Sequence, residues 1–213
     1  AINDLMDKKT IAHLLKYDTV YGIYTKNVSA SADGVSVDGK NYPVLAERDP
    51  AKLPWKKIKV DVVLECTGVF EDKKSASGHI TAGAIRVIIS APAKDGTQNV
   101  IFGTKHSGDL MKANKTDSVI SMASCTTNCI APVIQVLESK FGIEKALMTT
   151  VHAYTATQNL VDGPSGDLRR ARAGAANMVP TSTGAASATS KVVPSVANKF
   201  DGIAIRVPVI NGS

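Results

Sequence analysis

Aromatic residues are scarce in this chain, only 5% of its 213 residues, with a single Trp. No aromatic-rich strand offers a stacking platform for bases, so nucleic acid is not expected as the primary partner. No apolar stretch approaches membrane-spanning length, and no signal-peptide pattern opens the chain. There is no internal repeat and no low-complexity linker. The cysteines number three, an odd count with no disulfide framework, which suits a reducing, cytoplasmic compartment. Cys125 and Cys129 form a C-x-x-x-C pair, but no second Cys/His pair at ligand spacing accompanies it, so no metal site is expected. Cys129 is expected to pack as a small apolar residue. The glycine pattern G-x-G-x-x-G is also absent.

What remains is ordinary globular composition, 44% hydrophobic and 21% charged, enough for one large or two small domains. The formal charge of +6 suits nucleic acid or phosphorylated small molecules equally. The first half alternates short apolar runs with helical or loop segments. Strands are expected at Tyr21–Tyr24, Val35–Val37, Tyr42–Leu45, Val60–Cys66, Ile85–Ser90, Val100–Phe102 and Val119–Met122. Val60–Leu64 and Ile85–Ile89 are continuous β-branched runs, the pattern of parallel strands buried on both faces. Glu71–Thr81 between them reads as a crossover helix. A βαβ unit of this kind predicts an α/β fold with a doubly wound sheet. Asp33-Gly34 and Asp38-Gly39 mark a hairpin insertion.

The most informative stretch is Ser124-Cys125-Thr126-Thr127-Asn128-Cys129, between an apolar strand run and a helical run. Cys125 therefore opens a helix, where free N–H groups and the dipole favour an anion such as a thiolate. The helix to Phe141 climbs roughly 24 Å at ~1.5 Å per residue. After Gly142, the strand Lys145–His152 returns roughly 23 Å at ~3.3 Å per residue. The matched paths bring His152 beside Cys125, the pattern of an activated nucleophile. A buried structural Cys and an unrelated His are the competing reading.

Ligands of open α/β sheets bind at the carboxyl ends of the strands. Cys66-Thr67-Gly68, Ser90-Ala91-Pro92 and Ser124-Cys125-Thr126 occupy such ends. Asp4 closes a short strand and is either an acidic ribose ligand or a simple helix N-cap. In the second half, Thr181–Ala186 opens a helix with hydroxyls and N–H groups suited to phosphate. The arginines of Asp167–Arg172 form either a solvated face or an anion site. Arg206 stands alone among the apolar residues of a strand at Gly202–Val207, where a charge is usually paired or functional.

Several words of this sequence together resemble the glyceraldehyde-3-phosphate dehydrogenase family. They include Ala1–Asp4, Glu47–Pro50, Glu65–Phe70, Val87–Pro92, Ala123–Cys129, Thr149–Thr155, Asp162–Gly166, Ser182–Ala186 and Arg206–Pro208, in order along the chain. The resemblance implies a Rossmann-like dinucleotide-binding domain over 1–124 and a portion of an α+β catalytic domain over 125–213. It implies phosphorylating, NAD-dependent oxidation of glyceraldehyde 3-phosphate to 1,3-bisphosphoglycerate in glycolysis, by a homotetramer. Cys125 matches the thiolate that forms the hemithioacetal and thioester, and His152 matches its base. Asp4, Arg48, Thr67, Gly68 and Ser90 match NAD contacts. Thr155 and Arg206 match the site for the substrate's own phosphate. Ser124, Thr126, Thr183 and Gly184 match the site for inorganic phosphate, with Arg170 near it.

The family's glycine-rich opening and its later segments have no counterpart here, so an internal fragment without turnover is expected. Erythrose-4-phosphate dehydrogenase is the neighbouring alternative, against which Tyr154-Thr155 and Thr183-Gly184-Ala185-Ala186 argue. A non-catalytic nucleotide- or RNA-binding module is the alternative of a different class, against which the Cys125/His152 pair argues.

Overall fold

The computed structural model describes residues 1–113 and 116–213. The chain opens with β1 (Ile2–Asn3) and α1 (Lys8–Lys16). Asp7 caps α1, accepting from the Lys9 and Thr10 amides at 2.9 and 3.0 Å. The N-cap reading of Asp4 is thereby set aside: its Oδ1 accepts from the Met6 amide ahead of the helix. A small hairpin follows, β2 (Tyr17–Asp18) and β3 (Gly22–Ile23), shorter than the expected Tyr21–Tyr24 strand. Then come β4 (Val28–Ala30), β5 (Gly34–Val37) and β6 (Lys40–Leu45). Asp38-Gly39 turns β5 into β6, as its sequence implies. These strands form a sheet of order β1-β6-β5-β4, with β1 parallel to β6.

The next sheet is parallel, β7 (Val62–Glu65), β8 (Arg86–Ile89) and β9 (Val119–Ser121). Its βαβ logic is the expected one, with two corrections. The crossover is not one helix but two, α2 (Lys73–Ala76) and α3 (Gly78–Thr81). Gly78 sits against Pro50, where an added Cβ would meet Pro50 Cγ at 2.8 Å. Burial on both faces also fails at β7. Val63 and Glu65 are buried, whereas Val62 and Leu64, on the opposite face, are 48% and 66% exposed, so one face of β7 lacks cover. Val100–Phe102 is not a strand. Asn99 makes a single bridge to Ser121, the Ile101 amide turns to Ser107 Oγ, and Gly103 bends at φ +85.

After α4 (Lys105–Lys112) and β9, the chain enters α5 (Cys125–Phe141). Then follow β10 (Ala146–Ala153), β11 (Val179–Ser182), α6 (Ala185–Val192) and β12 (Phe200–Val207). The segment Thr181–Ala186 thus splits between the end of β11 and the start of α6. β12 is central, parallel to β10 and antiparallel to β11. One core cluster joins α5, α6 and β12 through Ala131, Ile134, Val192 and Phe200. A second packs Trp55, Val87, Ile89 and Val119 around the parallel sheet. Cys129 departs from the expected buried packing and is exposed. It lies one turn beyond Cys125, while the face of α5 that packs inward carries Thr126, Thr127, Ala131 and Ile134. Among the described residues, no helix is long and apolar enough to cross a membrane.

Candidate active site

The strand-to-helix turn at Cys125 is built by short-range bonds. Ser124 is the N-cap of α5, its Oγ accepting from the Thr127 amide at 3.0 Å. Asn128 Nδ2 donates back to the carbonyls of Met122 and Ser124, at 2.6 and 2.9 Å. Ala123, buried, takes φ +55, a left-handed conformation that a residue with Cβ adopts only when its surroundings impose it. Ser121 Oγ accepts its amide at 3.0 Å. Cys125 is the first helical residue, so its amide lies among the N-terminal donors without intrahelical partners.

His152, near the end of β10, reaches this turn, with Nε2 3.2 Å from Cys125 Sγ. Its Nδ1 lies 2.7 Å from the Ala153 carbonyl oxygen. A carbonyl only accepts, so Nδ1 carries a proton and the Nε2 lone pair faces the thiol. All three cysteines are exposed, and among the described residues only Cys125 is partnered by a histidine in this way.

Beside this pair lies a cationic cluster. Arg206 Nη1 donates to the hydroxyls of Thr155 and Thr157, the latter at 3.2 Å, and to Gln158 Oε1 at 3.3 Å. Arg170 Nη2 donates to Thr181 Oγ1 at 2.6 Å. Burial, followed by repulsion from Arg170, pushes the Arg206 guanidinium below its ordinary value, and Cys125 works in the opposite sense. Arg206 Nε, Arg170 Nε and Gln158 Nε2 are buried N–H donors without hydrogen-bond partners. Such donors are rare in folded proteins and suit an anion. The arginine run divides accordingly. Arg169 pairs with Asp167 and Arg172 with Asp162 at the surface, whereas Arg170, with its Nε 3.8 Å from Asp167 Oδ2, turns its Nη2 to Thr181 and has a side chain only 26% exposed. Thr157 and Gln158 were not legible as site residues, being polar residues in an unpatterned segment, whereas Thr181 belongs to the hydroxyl-rich segment expected to suit phosphate.

The other hydroxyl candidates are tied to helix starts. Thr183 Oγ1 accepts from the Ala185 amide at 3.2 Å, Gly184 is the N-cap of α6, and Thr126 is buried in the first turn of α5. The cofactor candidates gather at the carboxyl ends of β1, β7 and β8. A cavity of about 760 Å³ is lined by residues 1–4 on one side, and by residues 60–67 with Trp55 and His79 on the other. Asp4 and Thr67 are in that lining. Gly68 takes φ +70, and a Cβ there would meet only Glu71 Oε1, at 3.9 Å, so its backbone is open to close approach. The Ser90 amide donates to the Glu65 carbonyl at 3.0 Å, bringing the β8 end against the β7 end. Arg48 is exposed and outside the lining. Gly68 and Ser90 are outside it as well, so of the cofactor candidates the cavity brings together the Asp4 carboxylate and the Thr67 hydroxyl, groups that suit a ribose.

Two family models match this chain. Residues 1–73 match the glyceraldehyde 3-phosphate dehydrogenase NAD binding domain, and residues 124–213 match the C-terminal domain of the same enzyme. The chain belongs to the glyceraldehyde-3-phosphate dehydrogenase family. It is 54% identical over all of its length to the glyceraldehyde-3-phosphate dehydrogenase of Streptomyces coelicolor, covering 62% of that protein. It is 52% identical to that of Clostridium acetobutylicum, and 52% identical to glyceraldehyde-3-phosphate dehydrogenase 1 of Bacillus cereus. In both cases all of this chain and 63% of the relative are covered, so the chain spans less than two thirds of these relatives. The erythrose-4-phosphate and non-catalytic alternatives find no support among these names.

Proposed function

We propose that the protein to which this chain belongs oxidises glyceraldehyde 3-phosphate to 1,3-bisphosphoglycerate, with NAD and inorganic phosphate, in cytoplasmic glycolysis. The observation that carries this reading is the 3.2 Å approach of His152 Nε2 to Cys125 Sγ at a helix start. In the addition step, Cys125 Sγ attacks the aldehyde carbon while its proton passes to His152 Nε2 and from there to the former carbonyl oxygen, giving a hemithioacetal and returning Nε2 to its free-base form. His152 Nε2 next serves as base for the hemithioacetal hydroxyl, held in position by the bond from Nδ1–H to the Ala153 carbonyl. Bound NAD supplies the hydride acceptor for this oxidation. Asp4, Thr67, Gly68, Ser90 and Arg48 are the residues assigned to hold it, the acidic Asp4 accepting ribose hydroxyls. Cys125 then carries the acyl group as a thioester until inorganic phosphate displaces it.

The two phosphates are assigned to different residues. Arg206 and Thr155, with Thr157 and Gln158 beside them, are assigned the substrate's phosphate. Ser124, Thr126, Thr183 and Gly184, with Arg170 nearby, are assigned the attacking phosphate. The buried N–H donors of Arg206 Nε and Gln158 Nε2, which lack hydrogen-bond partners, support an anion in this region. We divide the chain between Ser124 and Cys125 into cofactor and catalytic domains. A homotetramer is the assembly proposed, and exposed apolar side chains such as Leu14, Tyr21 and Ile23 supply surface for subunit contacts.

The test is NADH formation from glyceraldehyde 3-phosphate, NAD⁺ and phosphate by the complete gene product. Activity lost in Cys125→Ser, and dependent on phosphate, supports the reading. Equal activity in Cys125→Ser overturns it.

A further inference from the structure

Trp55, His79 and Glu65 are three polar-tipped side chains buried to about 4% exposure in the wall of the 760 Å³ cavity, and the chemistry at Cys125 uses none of them. They are joined in a chain. Trp55 Nε1 donates to His79 Nδ1 at 3.0 Å. An indole N–H only donates, so Nδ1 is the acceptor and the imidazole proton sits on Nε2. That Nε2–H therefore donates to Glu65 Oε2, 2.9 Å away. The other carboxylate oxygen, Glu65 Oε1, accepts from the Thr67 amide at 2.8 Å and from the Thr67 hydroxyl. Thr67 Oγ1 in turn accepts from the Val69 amide at 3.1 Å. Donation thus converges on Glu65, from the core through Trp55 and His79 and from the loop that carries Thr67 and Gly68. Trp55 and Phe70 also pack on the imidazole, with ring centroids 6.2 and 6.4 Å away.

We propose that this buried Trp55–His79–Glu65 relay sets the conformation of the Thr67–Gly68 loop for dinucleotide binding, with His79 and Glu65 as positioning residues. The inference rests on the assignment of Thr67 and Gly68 to the cofactor. Gly68 needs its left-handed φ, and the carboxylate of Glu65 fixes the residue before it by two bonds from one side chain. Glu65 holds that carboxylate geometry only while His79 occupies its second oxygen. His79 can present Nε2–H to Glu65 only while Nδ1 is occupied by a donor from the other side. Every member is satisfied, as a buried polar network requires.

The experiment compares His79→Leu and His79→Gln in the complete gene product. A Gln amide can accept from the indole N–H through its oxygen and donate to Glu65 through its nitrogen, so it restores both bonds. Leu fills the space and makes neither. NAD⁺ affinity is measured by calorimetry, exchange of the Thr67–Val69 amides by mass spectrometry without cofactor, and alkylation of Cys125 by iodoacetamide. His79→Leu is expected to bind NAD⁺ roughly tenfold more weakly, the scale of one lost bond to a charged group. Its loop amides exchange faster, and its Cys125 alkylation rate is unchanged. His79→Gln is expected to stay near the parent in all three.

Equal weakening in Leu and Gln would make the effect one of packing and overturn the relay. So would weakened binding with unchanged exchange at the loop. Faster exchange in Leu, restored in Gln, with NAD⁺ affinity unchanged throughout overturns the cofactor role of the loop and leaves the Cys125 assignment standing. A parent protein that does not bind NAD⁺ removes the functional reading itself, and the proposal with it.

Discussion

His152 and Arg206 are register partners on the parallel strands β10 and β12. Register partners share one face of a sheet, with their strands about 4.8 Å apart. The histidine that meets Cys125 and the arginine that meets Thr155 therefore stand side by side, one strand apart. A substrate with an aldehyde at one end and a phosphate at the other can span from Cys125 to Arg206 over this face. The arrangement follows from β12 lying between β10 and β11, since Arg170 reaches the same region through Thr181 on β11.

Cys125 is expected to be the first thiol alkylated by limiting iodoacetamide. Exposure does not decide this, because Cys66 and Cys129 are exposed too. The distinction is the His152 contact and the helix start. Peptide mapping after brief treatment checks the order, and preferential modification of Cys66 or Cys129 would be inconsistent with it. In the complete protein, His152→Ala should lower kcat by about 10²- to 10⁴-fold, the usual contribution of a positioned base.

The Cys125–His152 pair was legible because helix rise and strand rise are fixed numbers, so equal outward and return paths return a residue to its start. Arg206 was legible as one charge in an apolar strand. Spacing did not separate Arg170 from Arg169 and Arg172, because three arginines in one short segment carry no periodicity that tells an inward side chain from an outward one, and only the family resemblance singled it out. The uncovered face of β7 was hidden for a similar reason. Val62 and Leu64 are as apolar as Val63, so composition could not show which face lacks cover. The relay through Trp55, Glu65 and His79 joins residues with no common spacing, and only the packing of α3 against β7 and β8 brings them together.

Acid should destabilise the fold through Glu65. Burial pushes this carboxyl up, but bonds from His79 and Thr67 outweigh that and leave it below its ordinary value of 4.5. A carboxyl with a depressed folded value contributes stability above its unfolded value, and that contribution is lost as pH falls through the folded one. Urea midpoints should therefore drop below about pH 4.5 more steeply in the parent than in Glu65→Gln, whose side chain does not titrate there. Parallel slopes for the two proteins would exclude Glu65 as a source of the acid sensitivity.

Ser124 has two assignments that substitution can separate. Its hydroxyl caps α5, and the family resemblance proposes it for inorganic phosphate. Ser124→Ala should destabilise by about 1 kcal/mol, while Gly, itself an acceptable N-cap, should do so by only a few tenths. Both changes remove the hydroxyl equally from phosphate. If the KM for phosphate rises alike in the two variants while their denaturation midpoints differ, the hydroxyl serves both purposes. A KM effect that tracks stability would reduce Ser124 to a cap.

Arg206→Ala and Thr183→Ala should weaken different phosphates. Arg206 lies on β12 with Thr155, Thr157 and Gln158 around its guanidinium, and its charge is already opposed by burial and by Arg170. A dianionic phosphate relieves that repulsion, so loss of Arg206 should fall on the aldehyde substrate. Thr183 lies at the entry to α6, its hydroxyl engaged with the Ala185 amide, where helix N–H groups favour an anion. Removing a charge-assisted bond costs about 1.5–3 kcal/mol, roughly ten- to a hundred-fold in binding. The expected result is a raised KM for glyceraldehyde 3-phosphate in Arg206→Ala and a raised KM for inorganic phosphate in Thr183→Ala, each larger than its effect on the other ligand. Arg170 lies between the two clusters through Thr181, so Arg170→Ala should raise both. If Arg206→Ala and Thr183→Ala instead shift both constants equally, the two clusters form one undivided anion site and the assignment of separate phosphates fails.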